Sequence, residues 1–361
     1  PGLAAAIDYI NCHGGVGGKY VEWIYCGAAD ANEGEACVQS LVDAGVVATL
    51  TDANYAAEAV NTDTLAAAGI AQIDPFVNSE ASLTNPDVYM FCQPTPLDYA
   101  AMVAHAATVG KKTIWNFYGE SSQAAHNMEI VQMAADHYGL TVLGSTAVPL
   151  AAAAYLPQVQ ATLAGGADVN LAIIAPFMSA LVLQSAEQLG QNFHMVVSYG
   201  QFNQEQYQQY GQAGGPLEDA FLVSCVPPTG AAGDIPAMQE AVDGFNAYAE
   251  NGADDHIREL SAPNKITAYA YRAWFSTLAW WQAVKDLPEV TAASVREALD
   301  TSTGIDVGLA QPWVPSNEGP PGFTRVSNTL VYLVTVKDGE AVLVQPEPVS
   351  YPHLTLPTIS P

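Results

Sequence analysis

The residues of this sequence that could do chemistry form no recognisable catalytic motif. The glycine-rich run 14–19 is similar to a phosphate-binding loop, but His13 stands where that loop needs glycine and Tyr20 where it needs serine or threonine. A tight turn rich in glycine explains this run better, because glycine accepts positive φ angles. No Gly-x-Ser-x-Gly segment is present to hold a nucleophilic serine. The sequence therefore predicts a protein that is not an enzyme.

Polar and aromatic side chains follow several predicted strands, and these positions are the candidates for holding a ligand. In open α/β sheets, ligands bind at the carboxyl ends of the strands. The loops after two early strands offer hydroxyl, carboxylate, amide and aromatic groups at Thr51, Asp52, Asn54, Tyr55, Phe76 and Asn78. The loops after three later strands contribute Tyr118, Ser121, Phe177, Tyr199 and Phe202. Each aromatic ring could instead pack inside its own part of the fold, and both roles stay open.

The elements that must position these loops are visible as an alternation of short β-branched runs with helix-period stretches. Strands are predicted at 20–26, 46–50 and 70–73, with helices between them, and the alternation continues to about residue 198. This spacing predicts βαβ units with parallel sheets and helices on both faces. An aromatic-rich helix is predicted at 267–285, and the Asp-Gly pair within 337–340 predicts a late antiparallel hairpin.

Length and charge limit the class of protein. The chain has 361 residues, 50% of them hydrophobic, and its 10 Lys+Arg against 37 Asp+Glu give a net charge of −27. The length suits two lobes. So acidic a surface repels phosphate backbones and anionic lipid, which argues against nucleic-acid and membrane-surface partners. Because the chain opens in helical periodicity without a methionine, we expect a leading strand and an export signal to be missing.

Two of the five cysteines, Cys26 and Cys37, flank a polar loop between a predicted strand and a predicted helix. They could form a disulfide in an exported protein, with a pair of buried thiols as the alternative. Cys12, Cys92 and Cys225 are isolated in the sequence. No Cys-x-x-Cys pair or Cys/His ligand spacing is present, so we expect no structural metal.

Several segments together resemble the branched-chain amino-acid-binding type of periplasmic binding protein, the type I solute-binding family. They are the helix end and Asn-x-x-Gly-Gly turn in 6–18, the helix and strand in 37–48, the strand in 69–75, the second-lobe unit in 148–169 and the hairpin in 331–339. No single motif is specific, but their order and spacing cover nearly the whole chain. Only the first strand of the family has no counterpart in this sequence.

The resemblance implies two Rossmann-like lobes, each a mostly parallel sheet flanked by helices, joined by three crossing segments near 109–111, near 226–228 and within 308–325. The amino-terminal lobe would comprise 1–109 and 227–310, and the carboxy-terminal lobe 110–226 and 322–348. Residues 349–361 do not fit the pattern and are similar to a translated sequencing-adaptor tail. We expect this segment to be non-native and poorly ordered.

The resemblance also implies a function: an extracytoplasmic protein, periplasmic or at the cell surface, that captures a small molecule by hinge closure and docks on the membrane permease of an ABC importer. We expect a monomer without a cofactor, and a lipid anchor is one alternative for its attachment. A sensory ligand-binding domain and an α/β enzyme are the rival functions. A lipobox in the full gene would favour the importer, whereas an output domain or membrane helix would favour the sensor.

In amino-acid-binding members of this family, first-lobe loops donate hydrogen bonds to the ligand carboxylate, a role that Thr51, Asn54 and Asn78 could play. The second lobe offers aromatic rings and an acid for the ammonium group. This sequence has Tyr199-Gly200-Gln201 in the loop where the family offers the acid, although Glu120 or Asp52 could substitute. The resemblance therefore implies an amino-acid-like ligand, an aromatic or apolar carboxylate, or an amide.

Overall fold

The computed structural model describes residues 1–28, 30–51, 57–77, 79–120, 124–150, 152–319, 326 and 328–350, and they form two sheets with helices packed on both. The smaller sheet is parallel, in the order β1 (Ala48–Leu50), β2 (Ala71–Ile73), β3 (Val88–Tyr89). Its neighbours early in the chain are α1 (Gly2–Cys12), α2 (Ala31–Asp43), α3 (Glu58–Ala67) and α4 (Glu80–Thr84). The alternation predicted from the sequence is confirmed here.

The larger sheet has eight strands within the described residues. Five parallel strands are β4 (Thr113–Gly119), β5 (Thr141–Val148), β6 (Val169–Ile173), β7 (Met195–Ser198) and β8 (Phe221–Ser224). The antiparallel strands are β9 (Leu330–Lys337), β10 (Glu340–Leu343) and β11 (Val349–Ser350). The order is β10-β9-β8-β7-β6-β4-β5, with β11 beside β9. The change from parallel to antiparallel strands agrees with the late hairpin predicted from the sequence.

Burial explains the sequences of these strands. Every residue of β6 is buried, as expected for a central strand with helices on both faces, whereas β5 at the sheet edge alternates exposed and half-buried side chains. The turn between β9 and β10 holds Asp338 at φ 51° and Gly339 at φ 78°, the pair of positive angles that a two-residue hairpin needs.

The remaining helices follow the strands. They are α5 (Thr95–Thr108), α6 (Ala124–Tyr138), α7 (Leu156–Ala164), α8 (Pro176–Gln188), α9 (Gln204–Tyr210), α10 (Pro236–Asn251), α11 (Asp255–Leu260), α12 (Ala268–Val284) and α13 (Ala292–Thr301). Helix α12 is the aromatic-rich helix predicted from the sequence. It is buried nearly all round, as its apolar composition requires, and packs along α1. The close approach depends on Gly2, because a Cβ there would lie 2.1 Å from the Ala270 carbonyl oxygen.

Helix α5 packs against α6 and against β7 and β8 of the larger sheet, and its apolar side chains share a core with them. The same core includes Val88 and Met90 from the end of the smaller sheet, so α5 packs between the two sheets. The division proposed from the sequence assigns this helix to the first lobe, with a crossing near 109–111. The exact bounds of the two lobes stay a prediction.

The glycine-rich run 14–18 forms a tight turn, in which Gly14, Gly15, Gly17 and Gly18 all have positive φ. The strand predicted at 20–26 is wrong, because the structure has no strand there. Tyr20 is 85% exposed and Tyr25 77% exposed. No other strand of the described residues runs beside this segment, and an extended segment without a neighbour cannot form a ladder. It is held instead by Asn11, which exchanges two hydrogen bonds with the Val21 backbone, of 2.7 and 3.0 Å.

None of the helices within the described residues is long and apolar enough to cross a membrane.

Candidate functional site

The amino-terminal half of α12 carries a buried ion pair between Arg272 and Asp74. Asp74 directly follows β2, and its carboxylate accepts two bonds from the guanidinium, from Nε at 2.7 Å and from a terminal nitrogen at 2.8 Å. Asp74 is fully buried and Arg272 is 4% exposed. Burial raises the pKa of Asp74, and the guanidinium opposes that rise. Bidentate hydrogen bonding of this kind offsets the cost of removing both charges from water.

Asp74 has an unusual backbone conformation, and its carboxylate has a further hydrogen-bond partner. Its φ angle is 52°, in the left-handed region that aspartate tolerates better than most residues. Its carboxylate also accepts the Cys92 N–H at 2.9 Å. The ion pair therefore ties the end of β2 to α12 and to the segment that follows β3.

Two aromatic rings cover this ion pair. The Arg272 guanidinium lies 4.3 Å from the centre of the Phe76 ring, and Phe76 meets Tyr269 edge to face at 5.0 Å. Tyr269 reaches the other sheet, because its hydroxyl accepts a bond from Gln201 at 3.3 Å and interacts with Ser198 at the end of β7. Helix α12 thus joins the strand ends of both sheets.

The Tyr269 ring lies directly on Gly200, where an added Cβ would be 2.6 Å from the ring. The next residue, Gln201, accepts a bond from the Ser179 hydroxyl at 2.7 Å and donates to the Ile174 carbonyl at 3.2 Å. Gln201 is therefore held by α8, by the residue that follows β6 and by Tyr269. This environment explains why a glycine precedes it, since any side chain there would displace the tyrosine.

Asp98, in the first turn of α5, is a half-buried acid that the sequence did not mark as a candidate. Its carboxylate accepts a bond from the Gln93 side-chain amide at 2.6 Å. Burial raises the pKa of Asp98 to about 7, while Arg272 and the Gln93 bond lower it and Asp74 raises it further. The carboxyl group is therefore poised to change charge near neutral pH.

These groups surround a small cavity between the strand ends of the larger sheet and α12. Its walls include Gln93 and Asp98 from the start of α5, Ser198 and Ser224 from the ends of β7 and β8, and Tyr269 and Arg272 from α12. Carboxyl ends of parallel strands are where open α/β sheets bind ligands, so the cavity occupies the expected position. A larger, polar pocket lined by Asn170, Asn192 and His194 lies at the opposite ends of β6 and β7, where this rule does not place a site.

The segments that connect the two sheets meet beside this cavity. Cys92 forms a disulfide with Cys225, with their Cα atoms 5.5 Å apart. The Trp313 indole donates to the Met90 carbonyl at 2.9 Å, and the Asn328 amide donates to the Phe91 carbonyl at 3.0 Å. The chain after β3, the chain after β8 and the chain before β9 are therefore bound to one another. Motion of one sheet relative to the other has to bend this bundle.

A second disulfide joins Cys26 to Cys37, the pair favoured from the sequence, with Cα atoms 5.8 Å apart. The sequence treats Cys92 and Cys225 as isolated, and this expectation is wrong because the two form a disulfide. The two cysteines are separated by 133 residues, and no spacing rule could pair them. Cys12 is a free, exposed thiol.

The candidate ligand residues fall into four groups: half-buried, exposed, buried, and outside the described residues. Thr51, Phe76 and Tyr118 are half-buried, and Thr51 has φ 51°. Phe177 is 63% exposed at the start of α8, whereas Tyr199 is 5% and Phe202 1% exposed. Asp52, Asn54, Tyr55, Asn78 and Ser121 lie outside the described residues.

Tyr199 and Phe202 both pack against Tyr207 of α9. Tyr199 stacks on Tyr207 at 5.7 Å, and Phe202 meets the same ring at 5.8 Å. Tyr207 donates to the Tyr199 carbonyl at 3.0 Å. These contacts support the packing alternative for both rings, and direct contact with a ligand stays a prediction.

Sequence reasoning missed Gln93, Asp98 and Arg272, and it gave Tyr269 only as a less favoured cleft residue, with core packing preferred. Gln93 lies just before α5 and Asp98 in its first turn, where polar residues ordinarily cap or face solvent. One available signal was Arg272 itself, a charge in the middle of an otherwise apolar helix face, which requires a buried partner. The described residues contain no cluster of three or more His, Cys, Asp or Glu side chains that could hold a metal ion.

Comparison with known proteins gives one consistent result. A family model described as "Periplasmic binding protein" matches residues 1–340. No curated protein sequence matches the chain. The fold is similar to a substrate-binding periplasmic protein from Ralstonia solanacearum, with 17% identity, a TM-score of 0.76 and coverage of 95% of this chain and 93% of that one.

Two further solved structures have the same fold. One is a fatty acid ABC transporter substrate-binding protein from Thermomonospora curvata, with 16% identity, a TM-score of 0.77 and coverage of 97% and 86% of the two chains. The other is a branched chain amino acid ABC transporter from Thermus thermophilus with bound valine, with 14% identity, a TM-score of 0.76 and coverage of 97% and 90%. At these identities the likeness shows the fold alone, which is the two-lobed α/β fold that the sequence predicted.

Proposed function

The chain belongs to the periplasmic binding protein family, and from this premise we propose that it is the extracytoplasmic substrate-binding protein of an ABC importer. The family and its structural neighbours are substrate-binding proteins and not enzymes. In this proposal, a small ligand enters the cleft between the two lobes, the hinge closes around it, and the closed form docks on a membrane permease. The ligand is released unchanged.

The observation that carries this proposal is the position of the cavity. It lies at the carboxyl ends of β7 and β8, is closed by α12, and adjoins the bundle of connecting segments at Cys92–Cys225. A ligand that touched both walls would bridge the two sheets at the point about which they can move. Binding and closure would then be coupled, because only the closed form makes both sets of contacts.

The ligand class proposed from the sequence is a small amino-acid-like molecule, an aromatic or apolar carboxylate, or an amide. The half-buried Thr51, Phe76 and Tyr118 support this class, since they combine two hydroxyl groups with aromatic surface. Among the similar structures, one protein has bound valine and another is the substrate-binding protein of a fatty acid ABC transporter. Valine and fatty acids are both small or slender molecules with an apolar part, which is compatible with the proposed class.

A ligand screen tests the proposal directly. Purified protein is heated with amino acids, amino-acid amides, aromatic acids and aliphatic acids, and the melting temperature is recorded. A true ligand at about 1,000 times its Kd should stabilise the folded state by about 4 kcal/mol. Mass spectrometry of the ligand recovered after denaturation should find it chemically intact. A ligand that is converted to a product would contradict the binding function.

Closure is tested separately by small-angle X-ray scattering with and without the ligand from that screen. The radius of gyration should fall on binding, because a closed cleft is more compact than an open one. Tyr118→Ala should weaken binding at least tenfold, whereas Tyr25→Ala, which removes a 77% exposed ring that does not line the cavity, should bind as the wild type does. Equal affinities for the two variants would remove Tyr118 from the site.

A further inference from the structure

Gln93, a residue of the cavity wall, carries a buried hydrogen-bond acceptor that no group of the described residues satisfies. The side chain is 3% exposed, and its amide nitrogen donates to Asp98 at 2.6 Å. Its carbonyl oxygen, Oε1, is buried and has no partner within the part of the chain that the structure describes. A buried polar atom without a partner is destabilising and rare in folded proteins. Because Gln93 lines the cavity, a donor on a ligand is the natural partner for this oxygen.

The charges around the cavity point to the same kind of ligand. Asp98 and Arg272 are the charged residues in its walls. Arg272 already gives two hydrogen bonds to Asp74 and a third, at 3.5 Å, to the Pro75 carbonyl. Its charge is therefore compensated, whereas among the described residues Asp98 has the neutral amide of Gln93 as its one side-chain hydrogen-bond donor. A negative group entering the cavity would meet an acid, and a positive group would meet a counter-charge.

The geometry points to an amine-binding subsite: the protonated amine of the ligand enters this cavity, donates one N–H to the Asp98 carboxylate, and donates another to Gln93 Oε1. This inference rests on the proposed binding function and specifies the chemistry that the cleft selects. An ammonium group has three donors and no acceptor, which matches two acceptors converging on one small space. The Tyr269 ring in the cavity wall is compatible with a cation beside it.

The net charge of the chain favours the same class of ligand. With 37 acidic against 10 basic residues, the field around the protein attracts cations and repels anions. A ligand that carries an ammonium group without a carboxylate therefore suits this protein at least as well as an amino acid does.

Proton linkage provides an independent signature. Burial raises the pKa of Asp98 to about 7 in the ligand-free protein. The charged and polar groups that face its carboxyl are Arg272 and Tyr269 from α12, Asp74 after β2, and Gln93 just before α5. The amine needs the ionised carboxylate. Amine affinity should therefore fall as the pH decreases below about 7, by up to tenfold for each pH unit.

The test uses matched probes that differ only in the amine. L-Phenylalanine and L-leucine are compared with 3-phenylpropanoate and 4-methylpentanoate, which lack only the amine. Their amides, which keep the amine but have no carboxylate, form a second comparison, and the α-amino group of such an amide is about half protonated near pH 8. Titration calorimetry at pH 8 should show binding of at least one amine-bearing member, with the deaminated acid at least 100-fold weaker. At pH 6 the same amine should bind more weakly and release protons to the buffer.

Two variants locate the effect. Asp98→Asn and Gln93→Leu should each weaken amine binding at least tenfold, and Asp98→Asn should also abolish the pH dependence. Asp98→Asn is expected to fold, because burial already disfavours the charged carboxylate and asparagine has the same shape. Asp255→Asn is the matched control, since it removes one negative charge from an 87% exposed side chain in α11 and should leave binding unchanged.

The outcomes separate this inference from the function on which it rests. If compounds bind but the deaminated acids bind as tightly as the amines, or if Asp98→Asn binds amines as well as the wild type does, the amine subsite is overturned and the binding function stands. If no compound with or without an amine binds in either this set or the wider ligand screen, the proposed function fails, and the subsite fails with it.

Discussion

Arg272 and Asp74 are 198 residues apart in the chain and form a two-pronged ion pair in the protein interior, with bonds of 2.7 and 2.8 Å. The pair connects α12 with the end of β2, next to the segment that leads to α5. Its partners Phe76 and Cys92 belong to the same region, so the pair helps to define the wall of the cavity.

Breaking this pair should destabilise the protein strongly. Asp74→Asn leaves the buried guanidinium without a counter-charge, and the free energy of unfolding in urea should fall by about 3–5 kcal/mol. Arg272→Gln should have a similar effect, whereas the double variant should lose less than the sum of the two. The exposed pair Arg258–Asp255 in α11 is the control, and Asp255→Asn should change stability by less than about 1 kcal/mol. Strictly additive losses at Asp74 and Arg272 would show that the pair is not coupled.

The Cys92–Cys225 disulfide should contribute more to stability than Cys26–Cys37. The two bonds close segments of 133 and 11 residues, and the longer loop loses more entropy in the unfolded chain. The chain-entropy relation gives about 5 and about 3 kcal/mol respectively. Each cysteine pair is replaced by alanines in a Cys12→Ser background, and the free energy of unfolding is compared. A larger loss from the Cys26/Cys37 variant would contradict the prediction.

A side chain at position 200 should disturb the site through Tyr269. In Gly200→Ala the new Cβ would lie 2.6 Å from the Tyr269 ring, so the ring has to move away from the cavity wall. We expect a loss of about 1–3 kcal/mol in unfolding free energy, as is usual for overpacking, together with weaker ligand binding. Gly233→Ala is the control, because a Cβ there meets no atom within 4 Å. If both variants behaved alike, the tight contact at Gly200 would be unimportant.

His105 should make the fold less stable in mild acid. It is fully buried in α5, and burial lowers its pKa to about 4, although the Leu222 backbone opposes the shift. Between about pH 6.5 and 4, the unfolded chain binds a proton that the folded chain does not. Stability should therefore fall as the pH decreases across this window, by up to about 1.4 kcal/mol per pH unit, and should be unaffected by this group above about pH 7.

The comparison of wild type with His105→Leu isolates this effect. The difference in unfolding free energy at pH 8 reports packing alone, and the change in that difference down to pH 5 reports the histidine. Asp98 changes stability with pH in the opposite direction. Its raised pKa lets the folded protein hold a proton that the unfolded chain releases between about pH 4 and 7, so this group stabilises the fold as the pH decreases. Its contribution is common to both proteins and cancels. A pH-independent difference would contradict a buried, neutral His105.

The local elements of this protein follow from its sequence because each depends on residues close together in the chain. Alternating periodicity defines the βαβ units, glycines define the turn at 14–18, and Asp338-Gly339 defines the hairpin. The segment 20–26 shows where this reasoning stops. Its composition suits a strand, but a strand also needs a neighbour, and the described part of the chain places none beside it.

Only the tertiary structure decided which distant residues meet. Arg272 with Asp74, Cys92 with Cys225, and the cavity shared by Gln93, Asp98 and Tyr269 all join segments far apart in the chain. No local pattern encodes such pairs, since their approach depends on how the two sheets, α5 and α12 pack together. By itself, the sequence determined a two-lobed α/β binding fold without a recognisable catalytic motif. The packing of α12 across the strand ends decided which polar groups line the cavity, because burial there leaves Asp98 and Gln93 facing the same space.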